Sequence, residues 1–305
     1  MKKNRFIFEK SLFNASFFTL LLFAVQLFLS SLGWFMGISI QGIQLLLAMF
    51  ISAALYFLLS QNRNDINAWA GIGIFIFVFF LAIVFSGLTY DSSYDGNAYH
   101  KMAIGSFANG WNPIYETSAE FASKTSFLQS VPIHNIWIDH YAKGSWMISA
   151  AIYSFTGNIE NAKAINPLSI FIVFGILNYF LRQKGMKRWQ SLLVSFLASV
   201  NPITSAQISS LYIDGFLMMM MFAVILSWLY LIDDSHSLPK HTVYVMLATS
   251  LMVCINSKFT GLAYAAVFSA GYYFFYICVQ KKKNTPITST STAYLTVFLT
   301  GVVLV

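Results

Sequence analysis

A chain of 305 residues that is 57% hydrophobic and only 10% charged, with a mean hydropathy of +0.66, is not a soluble globular domain, because soluble domains carry about 25% charged residues. The composition is that of an integral membrane protein, and 30 Phe with 16 Tyr suit rings that pack on acyl chains and sit at interfaces. The net charge of +7 invites a nucleic-acid reading, but the placement of the basic residues excludes it.

Crossing a bilayer takes about 20 apolar residues. Such runs lie near residues 13–33, 39–60, 68–89, 164–181, 191–209, 215–232, 242–256 and 260–279, and another begins near 291. The run at 242–256 is the shortest. The first run follows basic residues as a signal peptide would, but its length and the many spans behind it predict a retained helix. Between the runs lie "MKKNRFIFEK", "QNRNDIN", "RQKGMKRWQ", "IDDSHSLPKH" and "QKKKN". With the N-terminus in the cytoplasm all five fall on that side, giving it 13 of the 18 Lys and Arg, as the positive-inside rule requires. The acids run the other way, 4 inside and 7 outside. The basicity is a topology signal. Cys254 and Cys278 both lie in apolar runs and make no disulfide or zinc pattern. Asn201-Pro202 reads as a kink within the 191–209 span, and "KKKNTPITSTSTAY" as a short cytoplasmic linker. The sequence stops inside the apolar run "YLTVFLTGVVLV", which predicts a fragment of a longer protein.

The one long polar segment, residues 90–163, falls outside and contains six of the seven outer acids. "GNAYHKMAIGSFANG" has apolar residues at helical spacing and ends at Gly110. "AKGSWMISAAIYSFTG" is short for a span and predicts an interfacial or re-entrant helix. If it crossed, every later loop would change sides and "RQKGMKRWQ" would face outward, against the charge bias. The segment opens with "YDSSYDGNAYH", placing Asp91 and Asp95 just past a span. The plain reading is that they cap helix ends, Asp95 being a reasonable N-cap for the helix that follows.

From "SSYDGNAYHKMAIGSFANGWNPIY" onward the chain resembles the GT-C superfamily of multi-spanning glycosyltransferases, to which aminoarabinose transferases and protein O-mannosyltransferases belong. The resemblance rests on the order of several elements over residues 90–265. These are Asp95 just past a span, Tyr99 four positions on, a short helix at 97–108, the Gly110-Trp111-Asn112 turn and Pro113. "DHYAKGSWMISAAIYSFTG" follows with Lys143, then "FIVFGILNYFLRQKGMKR", Asp214 in "SLYIDGF", and "NSKFTG" with Lys258 and Gly261. The chain departs from the family pattern in having an extra hairpin before the motif, and in having Gly96 where many members carry a second adjacent acid.

The resemblance implies an all-α polytopic GT-C-like bundle, with residues 1–67 as an N-terminal transmembrane hairpin and 68–305 as the core. It implies an extracytoplasmic active face on the plasma (inner) membrane, a polyprenyl-phosphate sugar as donor, and a lipid, glycan or protein as acceptor. A carboxylate of raised pKa can take the proton from an acceptor hydroxyl, and an oxocarbenium-like transition state is favoured by negative charge nearby. Asp95 is the expected base, assisted by Asp91 and Asp214. The departing lipid phosphate calls for a cation. Five Lys and no Arg face outward, and Lys143 and Lys258 sit at interface depth. Tyr99, His100 and His140 join them as candidate substrate-binding residues. The plain alternatives are snorkelling anchors for the lysines and a helix cap for Asp214. Some relatives bind a divalent cation, for which Asp139 and His140 would be the ligands, although the spacing of His100, His134, Asp139 and His140 matches no strong metal motif. Trp111, Trp137 and Trp146 fit an interfacial belt.

A transporter or flippase of lipid-linked sugars is the first alternative, but its charges would sit within spans near the midplane. Here they gather at one surface. A polymerase or ligase would be expected to cluster outer Arg, of which there is none. A non-catalytic accessory subunit of a glycan assembly complex is a third reading.

Overall fold

The structure, a computed structural model, describes residues 7–59, 66–125, 135–233 and 236–282. The expected span beginning near 291 and His134 lie outside them. All regular structure among the described residues is helical. Six helices are long and apolar enough to cross a membrane. They include α1 (Ile7–Phe35), α2 (Gly42–Leu59) and α3 (Ile66–Leu88), followed by α8 (Ile165–Gln183), which extends a 3-10 turn at Ile159–Ala164. α11 (Asp214–Ile232) and α13 (Phe259–Lys282) complete the set. α12 (Lys240–Ser257) runs beside α11 and α13 and is less apolar.

The expected span at 191–209 is not one helix. α9 (Arg188–Ser199) stops, and α10 (Pro202–Gln207) starts afresh. Pro202 cannot donate to the previous turn, and the residue before a proline is pushed to extended backbone. Asn201 accordingly has ψ of 170°, and its side-chain oxygen accepts from the amides of Ile203 and Thr204. A kinked span thus becomes a capped break.

α1 is the hub, packing against α2, α3, α8, α12 and the helix Gly144–Thr156, α7. Small residues set the closest approaches. The Ser16 hydroxyl donates to the Phe171 carbonyl at 2.9 Å, and a side chain at Gly175 would strike Ser16. Phe13, Phe17 and Phe23 are fully buried in the same core. α2, α3 and α13 instead expose large apolar side chains such as Phe50, Phe77, Phe80 and Val267, the surface that acyl chains would cover.

The chain alternates between two ends. At one, Glu9 is buried and accepts from Arg182 and Arg188 at 3.2 and 3.4 Å, with Lys184 and Asp233 paired nearby. At the other lies the polar segment 90–163. It folds into a π-helical turn (Gly96–His100) running into α4 (Lys101–Ala108), then α5 (Ser118–Lys124), α6 (Asn135–His140) and α7 (Gly144–Thr156). α7 is buried from Gly144 to Ile152, so its aromatic and apolar residues are spent on protein contacts. Its start touches α12, where a Cβ at Gly144 would lie 2.5 Å from the Asn256 carbonyl oxygen.

Candidate functional site

Asp91 and Asp95 stand four residues apart yet sit in different surroundings. Asp91 is fully buried. One carboxylate oxygen accepts from the Ser93 amide at 2.9 Å, and the other from the Leu211 amide at 2.9 Å. Its own amide donates to Glu160. Glu160 also accepts from Lys101 and Lys163, each at 2.6 Å, and Lys163, with no exposed surface, donates to the Thr89 carbonyl as well. This knot of two acids and two lysines fastens the end of α3, the π turn, the 3-10 turn and the strand of chain before α11 together. Glu160, Lys101 and Lys163 had no expected role. The pair Glu160 and Lys163, three apart at the head of a span, was the available signal.

Asp95 makes no cap to the helix that follows it. Its carboxylate accepts instead from the Tyr99 hydroxyl at 2.9 Å. Burial first, then that hydrogen bond and the nearby Tyr141, push the Tyr99 phenol well above its ordinary value, so it stays a donor. The Tyr141 ring lies against Tyr99, with centroids 5.9 Å apart, and the Lys258 ammonium stands 5.9 Å from the Tyr141 ring centre. Lys258 in turn donates to Asp214 at 2.5 Å. Burial alone would lower the Lys258 ammonium, but the Asp214 bond and Tyr141 outweigh it and the net shift is upward. A row of groups therefore runs from Asp95 through Tyr99, Tyr141 and Lys258 to Asp214. Tyr141 was not expected in the site; the sequence offered only its position between His140 and Lys143.

Local backbone explains the placement. Lys258 is a one-residue break in extended conformation, φ −160° and ψ 147°, between α12 and α13. The close return of α13 depends on Gly261, whose Cβ would lie 2.4 Å from the Cys254 carbonyl oxygen. Asp214 is the first residue of α11 and half exposed, so its carboxylate is free to turn toward Lys258.

A pocket of about 480 Å³ opens beside this row, lined by Ile136, Trp137, His140, Tyr141, Lys258, Phe259 and Thr260. Its lining is almost wholly apolar, with Lys258 and the first residues of α13 at its edge. A helix start carries partial positive charge, which adds to the ammonium. The pocket thus offers an oily cavity with a cationic rim.

Two expected residues serve other contacts. The Lys143 ammonium donates to the carbonyls of Ile138, Asp139 and Tyr141 at 2.7, 2.9 and 2.6 Å. Burial pulls it down to about 8, and the three carbonyls occupy its three donor hydrogens. It fastens the end of α6 to the start of α7. His100 is buried and its Nδ1 accepts from the Trp146 indole at 2.6 Å. Burial first, then Lys258, lowers it to about 3, so the ring is neutral with its proton on Nε2.

The Asp139 carboxylate caps α5 by accepting from the Ser118 amide at 2.8 Å, while His140 is exposed on the pocket edge. Among the described residues no group of three or more His, Cys, Asp or Glu gathers to hold a metal ion. Comparison with known protein families, with curated proteins and with solved structures finds no match to this chain.

Proposed function

We propose that this chain is a GT-C-type glycosyltransferase that moves a sugar from a polyprenyl-phosphate donor to an acceptor hydroxyl, at the extracytoplasmic face of the plasma membrane. One observation supports this reading above the others. Asp95, Tyr99, Tyr141, Lys258 and Asp214 stand in one contiguous row, joined by hydrogen bonds at its two ends and ring contacts in its middle, beside an apolar pocket at the end of the bundle formed by residues 90–163.

In this reading the isoprenoid lies in the pocket against Trp137 and Phe259, and its phosphate meets Lys258. Bond breaking at the anomeric carbon throws negative charge onto that phosphate, where a fixed ammonium and the start of α13 stabilise it. Asp95 takes the proton of the attacking hydroxyl. Tyr99, held protonated, fixes the carboxylate by donating to its other oxygen. Asp91 and Lys143, saturated by the backbone, hold the frame. The acceptor is a lipid, glycan or protein hydroxyl.

The test is transfer by the purified protein from a panel of polyprenyl-phosphate sugars, comparing wild type with Asp95→Asn. The amide still accepts the Tyr99 hydrogen bond, so the fold is retained while the base is lost. Transfer is expected to fall by about 10²–10⁴-fold. Undiminished transfer by the folded variant removes Asp95 from its role, and lipid translocation without transfer replaces the enzyme by a transporter.

A further inference from the structure

The charges around the pocket are unequal. The described outer face supplies five lysines, and four are committed away from the cavity. Lys101 and Lys163 share Glu160, Lys124 pairs with Glu116, and Lys143 is held by three carbonyls. Lys258 alone of the five lines the cavity, and it is already paired with Asp214. Asp95 belongs to the same row through its bond to Tyr99, whose ring packs on Tyr141 beside Lys258. His100 faces the row as a neutral ring, and the His140 imidazole sits at the solvent edge. The row beside the pocket therefore sets one ammonium against two carboxylates, Asp214 in contact with it and Asp95 beyond the two tyrosines.

Taking the lipid-phosphate reading as its premise, we propose that Asp214 is a specificity-determining residue that restricts the pocket to lipid headgroups bearing a single negative charge. A phosphodiester can replace the Asp214 carboxylate as the partner of Lys258, one charge for one. A diphosphate brings a second charge that finds no further lysine, and it must sit near Asp214, with Asp95 more distant beyond the tyrosines, in surroundings where apolar walls leave Coulomb repulsion poorly screened. Asp214 thus acts against the wrong ligand more than for the right one, a form of selectivity by built-in repulsion. The exposure of Asp214, half of its side-chain surface, lets it swing aside when the headgroup arrives.

The probes are a ten-carbon isoprenyl methyl phosphate, with one charge, and the corresponding isoprenyl methyl diphosphate, with two. Their binding is measured to the full chain in nanodiscs of neutral lipid. Wild type is expected to bind the singly charged probe at least about tenfold more tightly. Asp214→Asn should tighten both, the diphosphate by about tenfold more, so that the preference largely disappears. Asp95→Asn should narrow the preference by less, and Lys258→Met should abolish binding of both probes. High salt should shrink the wild-type preference, since it screens the repulsion. Equal affinities in wild type, or an unchanged ratio in a folded Asp214→Asn variant, overturn the inference and leave the pocket assignment standing. Binding of neither probe by folded wild type, or binding that survives Lys258→Met, sinks the phosphate site itself along with the inference.

Discussion

The end of the bundle formed by residues 90–163 carries two clusters of acids and lysines that differ in one respect. In the first, Asp91, Lys101, Glu160 and Lys163 are balanced two against two, and their bonds are completed by backbone amides and carbonyls. In the second, Asp95, Lys258 and Asp214 are unbalanced and partly exposed, Lys258 lines a cavity, and tyrosines stand between it and Asp95. Similar residue types make a fastening in one place and a candidate reaction site in the other. What separates them is whether protein or solvent supplies the remaining partners. A buried charge must be fully compensated, so a cluster whose side chains are at most 16% exposed and already paired has little left to offer a ligand. A partly exposed one keeps that capacity.

The difference is broken most severely at Glu160. Glu160→Gln leaves Lys163 without exposed surface and without a carboxylate, and an uncompensated buried charge costs about 3–5 kcal/mol. Thermal unfolding in detergent should show a loss of this size, and a variant as stable as wild type would mean that the knot does not hold the frame. A smaller effect separates two lysines that the sequence treats alike. Lys143→Met removes three hydrogen bonds from a charged donor and should destabilise by about 1.5–3 kcal/mol. Lys258→Met removes a pair that is 27% and 50% exposed, and exposed pairs contribute about 0–1 kcal/mol. Its stability should hardly change while donor binding collapses. If both variants lose stability equally, the distinction between fastening and site is void for these residues.

Much of the architecture could be read from the chain because a bilayer imposes long apolar helices, and those at 13–33, 39–60, 68–89 and 215–232 coincide closely with α1, α2, α3 and α11. The split at Asn201 was signalled by Asn-Pro, but whether such a pair bends or ends a helix depends on the cap made by the Asn side chain, which is a question of rotamer. Site residues were legible as types and positions only. Nothing in "YDSSYD" separates Asp91, sealed by the Leu211 amide 120 residues away, from Asp95, which meets a phenol. Lys143 and Lys258 were equally prominent as scarce outer cations. Tertiary packing delivers three carbonyls to one and a half-exposed carboxylate to the other. Tyr141 was invisible because aromatic residues are common in this chain, and only the turn from α12 into α13 brings Lys258 to its ring.

A further effect concerns pH, and it probes the wall between the two clusters. His100 is buried between Tyr99, Tyr141 and Trp146, and its folded value of about 3 lies below the ordinary 6.5. Between those limits the unfolded chain binds a proton that the folded chain refuses. Stability is therefore fully present above about pH 6.5 and declines as pH falls toward 3, by at most about 1.4 kcal/mol per pH unit for one group. His100→Gln retains an acceptor for the Trp146 indole but does not titrate. Thermal midpoints taken from about pH 7 down to about pH 4 should fall less steeply for the variant than for wild type. Parallel slopes would mean that the ring is protonated in the folded protein. Lys258 and Asp95 would then face a second positive charge across Tyr99 and Tyr141, and the excess of carboxylates in the row beside the pocket would vanish in acid.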